Sequence, residues 1–343
     1  MNKNQLQALI LTLFVLLIFS LYSCNNDFNI NDEWENITVV YGILDPNEPV
    51  NYIRVNKAFL GVGDLYQMAA VSDSIQYLPV LDVKLERYDN GVLRQTIQLA
   101  DTVIPKEQNN PYGQPGIFAT DNNILYYTRQ VISPGYKYKL RINSYLLPKE
   151  VWSETELMNP ADFKILKPTS TMPPKIAFED YNRNFDFEWE SVANGRIYQV
   201  VVRFHFSETT TSGTTLKYTD WILTPEYSLS LSGGEKMLKS VKVIDFYQML
   251  VNQIPEAHGE VRRPLSVDFM FFIAHEELNI YIQVTKPSTN IVQDRPSYTN
   301  IKNGIGIFTC RINKEIPNRI LTFRTIDSIA NGKYTRKLGF TNL

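Results

Sequence analysis

A strict alternation of apolar and basic side chains is the feature that most limits how this chain can fold. The alternation covers residues 136–142, where Tyr136, Tyr138, Leu140 and Ile142 are separated by Lys137, Lys139 and Arg141. Successive side chains of a strand point to opposite faces of a sheet, so the pattern predicts a β-strand with one buried face. The 20 Tyr and 18 Phe among the 343 residues favour the same class, because aromatic side chains pack well on pleated, half-buried surfaces.

An Asn-Gly pair predicts a tight hairpin earlier in the chain. Asn90 and Gly91 lie between two alternating runs, residues 80–88 and 92–99. Both central residues of the commonest two-residue hairpin turn have positive φ, which Asn and Gly adopt most readily. The two runs are therefore predicted to pair as antiparallel strands.

A proline-rich segment, residues 158–174, divides the chain into two predicted domains. It contains four prolines, which cannot donate hydrogen bonds to a sheet, so we expect a linker without a regular ladder. The first domain spans residues 36–157 and the second spans residues 175–343. Both lengths are usual for a single domain.

Three segments resemble strands of fibronectin type III and related sandwiches. Residues 132–140 resemble the entry to strand F, and the resemblance implies that the Tyr138 hydroxyl bonds a nearby backbone group. Residues 151–157 resemble the closing strand of the same fold. Trp189 late in one run and Tyr198 early in the next resemble strands B and C of a second such domain. The expected fold is mainly β, with two β-sandwich (fibronectin type III/Ig-like) domains in tandem.

One segment of the second domain departs from the β pattern and predicts a short helix. Apolar residues recur at three- and four-residue spacings over residues 245–254. Asp245 precedes Gln248 by three positions, as in a capping box. Alternation resumes over residues 265–271 and again over residues 280–284, and both stretches are predicted to be strands.

The first 35 residues have the pattern of an export and anchoring sequence. The apolar run over residues 8–22 has the length of a signal-peptide core and is shorter than the roughly 20 residues that span a membrane. Residues 21–24, Leu-Tyr-Ser-Cys, resemble a bacterial lipobox. The resemblance implies a cleaved signal peptide, residues 1–23, and a lipid on Cys24. The polar residues that follow complete a tether over residues 24–35.

Two alternatives remain for Cys24. The segment could be an ordinary signal or an uncleaved anchor in which Cys24 is incidental, and Cys24 could also pair with Cys310. Two cysteines are too few for a disulfide framework, however, and we favour lipidation of Cys24 over pairing with Cys310. Cys310 is then expected to be a buried free thiol that packs as a small apolar side chain.

Residues 296–311, PSYTNIKNGIGIFTCR, are the most distinctive stretch of the chain. They resemble the closing motif of uncharacterised lipoproteins of Bacteroidota-type bacteria, and residues 39–61 resemble the opening strands of such proteins. These families are domains of unknown function, described as companions of outer-membrane transport systems. The resemblance implies an outer-membrane lipoprotein and gives no substrate.

The residues of the same motif also predict local structure. Asn303-Gly304 predicts a tight turn, and Gly306 inside a strand allows close approach of another backbone segment. We expect a hairpin that closes the sheet of the second domain. A ligand-binding loop is the alternative interpretation.

The sequence offers little chemistry for catalysis. A net charge of −2 gives no basic patch for nucleic acid. Of the three histidines, His205, His258 and His275, only the last begins a zinc-protease-like segment, and Asn279 stands where the second histidine would be needed. No phosphate loop and no nucleophile elbow occur. We therefore predict no enzyme activity, no cofactor and no metal, with a hydrolase built from converging carboxylates as a remote alternative.

A long polar loop is the candidate binding surface. Residues 105–123 are too rich in proline and amides for a strand, and long loops in compact domains are often functional. Asn109, Asn110, Tyr112 and Phe118 combine aromatic rings with amides, which suits stacking on a sugar or a peptide. The alternative is a mobile loop without a ligand.

These features together predict a lipid-anchored cell-envelope protein with a binding or accessory role. It would be held to the membrane through Cys24, facing either the periplasm or the cell surface, and would contact a partner protein or an outer-membrane transport system. A glycan-binding surface lipoprotein is the alternative.

Overall fold

The computed structural model describes residues 37–58, 65–104, 116, 118–119, 123–169, 175–285 and 297–342. Nearly all of them belong to one compact unit, Asn36–Phe59 with Tyr66–Leu343. The predicted signal peptide and the tether with Cys24 lie outside the described residues. So do Asn109, Asn110 and Tyr112 of the predicted binding loop.

The described part of the chain is mainly β, as the alternating patterns predict. Sixteen strands lie within these residues: β1 (Thr38–Leu44), β2 (Asn51–Lys57), β3 (Asp82–Asp89), β4 (Val92–Gln98), β5 (Ala100–Val103), β6 (Ile124–Thr128), β7 (Lys137–Asn143), β8 (Val151–Glu156), β9 (Lys164–Lys167), β10 (Asn184–Glu190), β11 (Gly195–Thr210), β12 (Gly213–Ile222), β13 (Glu226–Tyr227), β14 (Lys236–Lys242), β15 (Val261–His275) and β16 (Gly304–Ile320).

Five α-helices and one 3₁₀ helix, Arg336–Leu338, accompany these strands within the same ranges. The α-helices are α1 (Leu65–Ala69), α2 (Ser72–Ile75), α3 (Val243–Gln253), α4 (Glu276–Thr285) and α5 (Phe323–Asn331). Helix α3 confirms the predicted short helix of the second half. It begins at Val243, so Asp245 lies in the first turn and Lys242 occupies the N-cap position.

Helix α4 shows that the strand predicted over residues 280–284 is wrong. Glu276 and Glu277 lie in the first turn of this helix. Their carboxylates meet the positive end of the helix dipole and favour a helix start at that point. Three alternating apolar residues are too few to define a strand against that signal.

The strands form three sheets. The largest has nine strands in the order β12-β11-β15-β16-β1-β2-β6-β5, with β13 paired to β11. The other two have the orders β14-β10-β9 and β4-β3-β7-β8. Strands β1 and β16 pair in parallel, which joins the first and last described strands of the chain. Strands from both sides of residues 158–174 therefore share the large sheet.

The proline-rich segment contains a strand, contrary to the prediction that it lacks a ladder. β9 pairs antiparallel with β10 inside that segment. The strand lies between Pro160 and Pro168, so no proline interrupts its own hydrogen bonds.

Two local predictions are confirmed by backbone and hydrogen-bond geometry. Asn90 and Gly91 have φ of 48° and 80°, and they connect β3 to its antiparallel partner β4. The Ser133 N–H donates to the Tyr138 hydroxyl oxygen at 2.9 Å, which is the backbone contact expected of Tyr138. Tyr198 is held in the same way, since its hydroxyl accepts from the Val192 N–H at 2.9 Å.

Aromatic side chains fill much of the core that the second half of the chain forms. Trp189 and Tyr198 are buried, with ring centroids 5.9 Å apart. Phe163 lies 5.8 Å from Phe271 and 6.1 Å from Tyr198. Burial raises the pKa of Tyr198 to about 12, so its hydroxyl stays neutral in the core.

The closing motif connects three strands and forms no hairpin. The Asn300 side-chain amide donates to the Phe308 carbonyl at 2.7 Å and accepts from the Phe308 N–H at 2.9 Å. Lys302 and Trp152 exchange backbone hydrogen bonds of 2.8 Å and 3.2 Å, which tie the motif to β8. From Gly304 onward the chain pairs with β1 on one side and, further along, with β15 on the other. The expected hairpin is therefore corrected to a parallel pairing.

Asn303 and Gly306 adopt the backbone conformations that the motif predicts. Asn303 has φ of 59°, and its side-chain amide donates to the Glu150 carbonyl at 2.8 Å. Gly306 has φ of 110°, and a β-carbon there would overlap the carbonyl oxygen of Val40 on β1. The backbones of β1 and β16 thus approach each other where only glycine fits.

Cys310 is a fully buried free thiol, as the sequence predicts. Its Sγ donates to the Glu156 carbonyl at 3.4 Å. Burial raises the pKa of the thiol to about 12. The reactive thiolate is therefore scarce in the folded protein at neutral pH.

We expect native Cys310 to resist alkylation. In a Cys24→Ser variant, where Cys310 is the remaining thiol, maleimide at about pH 8 should react at least about 100-fold more slowly with folded than with guanidinium-unfolded protein. Mass spectrometry of timed samples gives both rates. Equal rates in the two states would contradict the burial of this thiol.

Candidate functional site

Exposed aromatic and aliphatic side chains cover the outer side of the nine-stranded sheet where β6, β2, β1 and β16 adjoin. This surface, called the outer face below, consists of the half-buried Tyr127 and four exposed residues, Tyr41, Ile43, Tyr52 and Ile305. Tyr41 and Ile305 are each 43% exposed, Tyr52 is 41% exposed and Ile43 is 37% exposed. Antiparallel strands that face water on one side usually carry polar side chains there.

The tyrosines of the outer face are held by neighbouring rings. Tyr52 lies opposite Tyr127 across β2 and β6, with ring centroids 6.0 Å apart. Tyr41 and Tyr281 on α4 pack in a T-shaped arrangement, with ring centroids 6.4 Å apart. The Arg129 guanidinium lies 5.8 Å from the Tyr127 ring. The rings therefore sit on a rigid strand framework, bounded by α4 on one side.

A pocket of about 450 Å³ opens beside Tyr41. Its described lining residues are Val39, Tyr41, Arg54, Asn56, Lys57, Ala58, Ile75 and Phe118. Arg54 lies opposite Tyr41 in the register of β1 and β2. No acidic residue occurs in that described lining, and within the described ranges neither Arg54 nor Lys57 forms an ion pair. The pocket is therefore positively charged and partly apolar.

Backbone and side-chain hydrogen bonds fix the helices at this pocket. The Asn56 side-chain amide donates to the Ile75 carbonyl at 3.0 Å, which ties the end of α2 to β2. The Ala119 N–H donates to the Ala69 carbonyl at 2.8 Å, which places the neighbouring Phe118 near the end of α1. The Asn56 Oδ1 is buried and has no hydrogen-bond partner in the described part of the protein.

Of the four predicted loop residues, Phe118 is described, and it lines this pocket with 53% of its surface exposed. The structure adds strand residues that the sequence argument did not select, chiefly Tyr41, Arg54 and Lys57. A sequence signal exists for Tyr41 alone, because residues 39–44 are apolar at both alternating positions. A strand that is apolar on both faces needs cover on both faces.

The histidines lie on separate elements, away from this pocket lining. His205 on β11 contacts Asp268 on β15 at 2.6 Å, and Asp268 also accepts from the Asn318 N–H at 2.7 Å. His275 is buried against Glu277, and burial lowers its pKa to about 4. In the described ranges, no group of three or more His, Cys, Asp or Glu side chains is placed to hold a metal ion.

The chain matches no protein-family model and no curated protein. None of the helices in the described residues is long and apolar enough to cross a membrane. The described lining of the pocket holds cations, an amide and apolar groups, an arrangement that suits recognition of a ligand.

Proposed function

We propose that this protein is a lipid-anchored cell-envelope protein that docks a partner protein on its outer face. The observation that carries the proposal is the exposure of Tyr41, Ile43, Tyr52 and Ile305 on three adjoining strands of the large sheet. Tyrosine is enriched at protein interfaces, and clusters of exposed apolar side chains mark interaction surfaces. The rigid sheet beneath them lowers the entropy cost of binding.

The membrane attachment in this proposal is a lipid on Cys24. The lipobox-like residues 21–24 support it, and the tether over residues 24–35 would link the lipid to the folded part. The closing motif, residues 296–311, supports kinship with outer-membrane lipoproteins of Bacteroidota-type bacteria. A partner that belongs to an outer-membrane transport system follows from that kinship.

The fold in this proposal is two fibronectin type III/Ig-like sandwiches in tandem, over residues 36–157 and 175–343. The orders β1-β2-β6-β5 and β4-β3-β7-β8 support it, because they correspond to the ABED and C′CFG sheets of such domains. The orders β9-β10-β14 and β12-β11-β15-β16 correspond to ABE and C′CFG sheets. The backbone contact of Tyr138 supports the same assignment, since β7 takes the place of strand F.

A protein partner suits the outer face better than a glycan does. Ile43 and Ile305 lie among the tyrosines, and a branched aliphatic side chain offers no flat surface for a sugar ring. The three described tryptophans are no platform either. Trp189 is buried, Trp152 lies under the Lys139 ammonium at 4.0 Å, and the partly buried Trp221 packs against the core with its ring centroid 6.1 Å from that of Phe246. Glycan binding is therefore the second candidate function.

Site-specific photo-crosslinking tests the proposed docking. With benzoylphenylalanine in place of Tyr52, irradiation of intact cells should give one dominant crosslinked envelope protein. The matched control is the same substitution at Tyr145, which is 81% exposed and outside the outer face. A further Tyr41→Ser change should reduce the crosslink by about 5–30-fold, the effect of removing a tyrosine that is a hot spot of the interface.

Two results would count against a protein partner. One is equal crosslinking from positions 52 and 145. The other is specific glycan-array binding that Tyr52→Ser abolishes, which would favour the glycan-binding alternative.

A further inference from the structure

We infer that the pocket beside Tyr41 binds an acidic peptide segment of the partner, an inference that rests on the proposed function. A carboxylate of that segment contacts Arg54 and Lys57. An apolar side chain next to the carboxylate packs against Tyr41 and Phe118. The outer face supplies the contact area, and the pocket supplies the recognition of charge.

The charge of the pocket selects an anion. Arg54 and Lys57 both line it, and its described lining holds no carboxylate to balance them. Another outward-facing arginine of the same sheet is balanced within the chain, because Arg203 forms two hydrogen bonds with Asp220 at 2.8 Å and 2.9 Å. A guanidinium binds a carboxylate with two parallel hydrogen bonds in this way. Among the described residues no carboxylate pairs with Arg54, which leaves its guanidinium for a carboxylate that a ligand brings.

The apolar part of the lining distinguishes a peptide from an acidic sugar. Val39, Tyr41, Ile75 and Phe118 line one pocket with the two cations. Phe118 keeps more than half of its surface in water. An aromatic or aliphatic side chain beside an Asp or Glu covers these groups, whereas a uronic acid brings hydroxyl groups to them.

A direct binding measurement tests the charge requirement. The probe is a fluorescein-labelled Phe-Asp-Glu-Phe peptide amide, added to the full chain in detergent, with fluorescence anisotropy as the readout. We expect binding that weakens as NaCl rises from about 50 mM to about 500 mM. Arg54→Glu and Lys57→Glu should each weaken it by about tenfold or more, and Arg54→Gln by less.

Matched controls separate the pocket from general surface charge. Arg263→Glu reverses an exposed arginine elsewhere, with no ion pair in the described ranges, and should leave the affinity unchanged. The neutral Phe-Asn-Gln-Phe amide should bind about tenfold more weakly than the acidic peptide. Equal binding of the two peptides, or equal effects of Arg54→Glu and Arg263→Glu, would overturn the inference. If polygalacturonate displaced the labelled peptide at a lower carboxylate concentration than the unlabelled peptide does, the inference would be overturned in favour of an acidic glycan.

The crosslink from position 52 separates failure of this inference from failure of the proposed function. If Arg54→Glu with Lys57→Glu leaves that crosslink at full yield, the acidic segment is wrong and the docking surface stands. If the parent protein gives no specific crosslink, the proposed function itself fails. Loss of the crosslink in the double variant, with an unchanged thermal midpoint, supports both.

Discussion

Cys24→Ala should remove the lipid from the protein and release it from the outer-membrane fraction. Without the thiol, no diacylglycerol can be attached, and the acyl chains that hold the protein are lost. Each buried methylene contributes about 0.8 kcal/mol to membrane binding, so a multiply acylated cysteine is a stable anchor and its loss is decisive. Labelled palmitate incorporation and fractionation of lysed cells measure the two effects together.

The second cysteine provides the matched control for this experiment. Cys310→Ala removes a buried thiol inside β16 and should retain both the label and the membrane association. If Cys24→Ala stayed with the membrane fraction unchanged, the lipobox interpretation would be wrong, and an uncleaved anchor helix would replace it.

Features that depend on a few neighbouring residues could be predicted from the sequence. The Asn90-Gly91 turn follows from the backbone freedom of two residues. The contact between Tyr138 and Ser133 spans five positions, and the resemblance to fibronectin type III strands implies it. The helix near Asp245 follows from its periodicity. In each case the stabilising interactions lie within one or two turns of chain, so the local pattern contains them.

The pairing of β1 with β16 could not be predicted in this way. It joins Thr38 to Gly304 and Leu44 to Cys310. Parallel strands that are so far apart in the sequence are not connected by a short turn, so no turn residues reveal the pairing. Gly306 indicates that some backbone approaches closely, yet it does not identify which one. The position of Tyr281 against Tyr41 depends on the same pairing and on α4, where the predicted strand was wrong.

The candidate site could be predicted only in part for the same reason. Phe118 stood out because it lies in a long polar loop. Arg54 and Lys57 lie in a strand, where a basic residue usually marks a solvated face and attracts no attention. Their role becomes visible only when β2, α2 and Phe118 line one pocket. The site exists because these residues come together in space, and a single sequence does not show which residues do so.

Gly306→Ala should destabilise the protein severely, because the added methyl group has no space. At φ of 110° an alanine is strained, and its β-carbon would overlap the Val40 carbonyl oxygen on the neighbouring strand. Relief requires β1 and β16 to separate, which breaks the parallel pairing between the two ends of the chain. Gly213→Ala is the matched control: Gly213 also has positive φ, 131°, but a β-carbon there meets nothing within 4 Å.

The difference between these two glycine variants isolates the packing cost from the backbone strain. Strain alone should cost Gly213→Ala roughly 2 kcal/mol in free energy of unfolding, whereas Gly306→Ala should lose at least about 2 kcal/mol more. Denaturant unfolding curves give both values. Maleimide should also reach Cys310 faster in the Gly306 variant, since Cys310 pairs with Leu44 in the same ladder. Equal losses from the two variants would show that β1 and β16 separate without cost, and the closing motif would then need a role other than joining them.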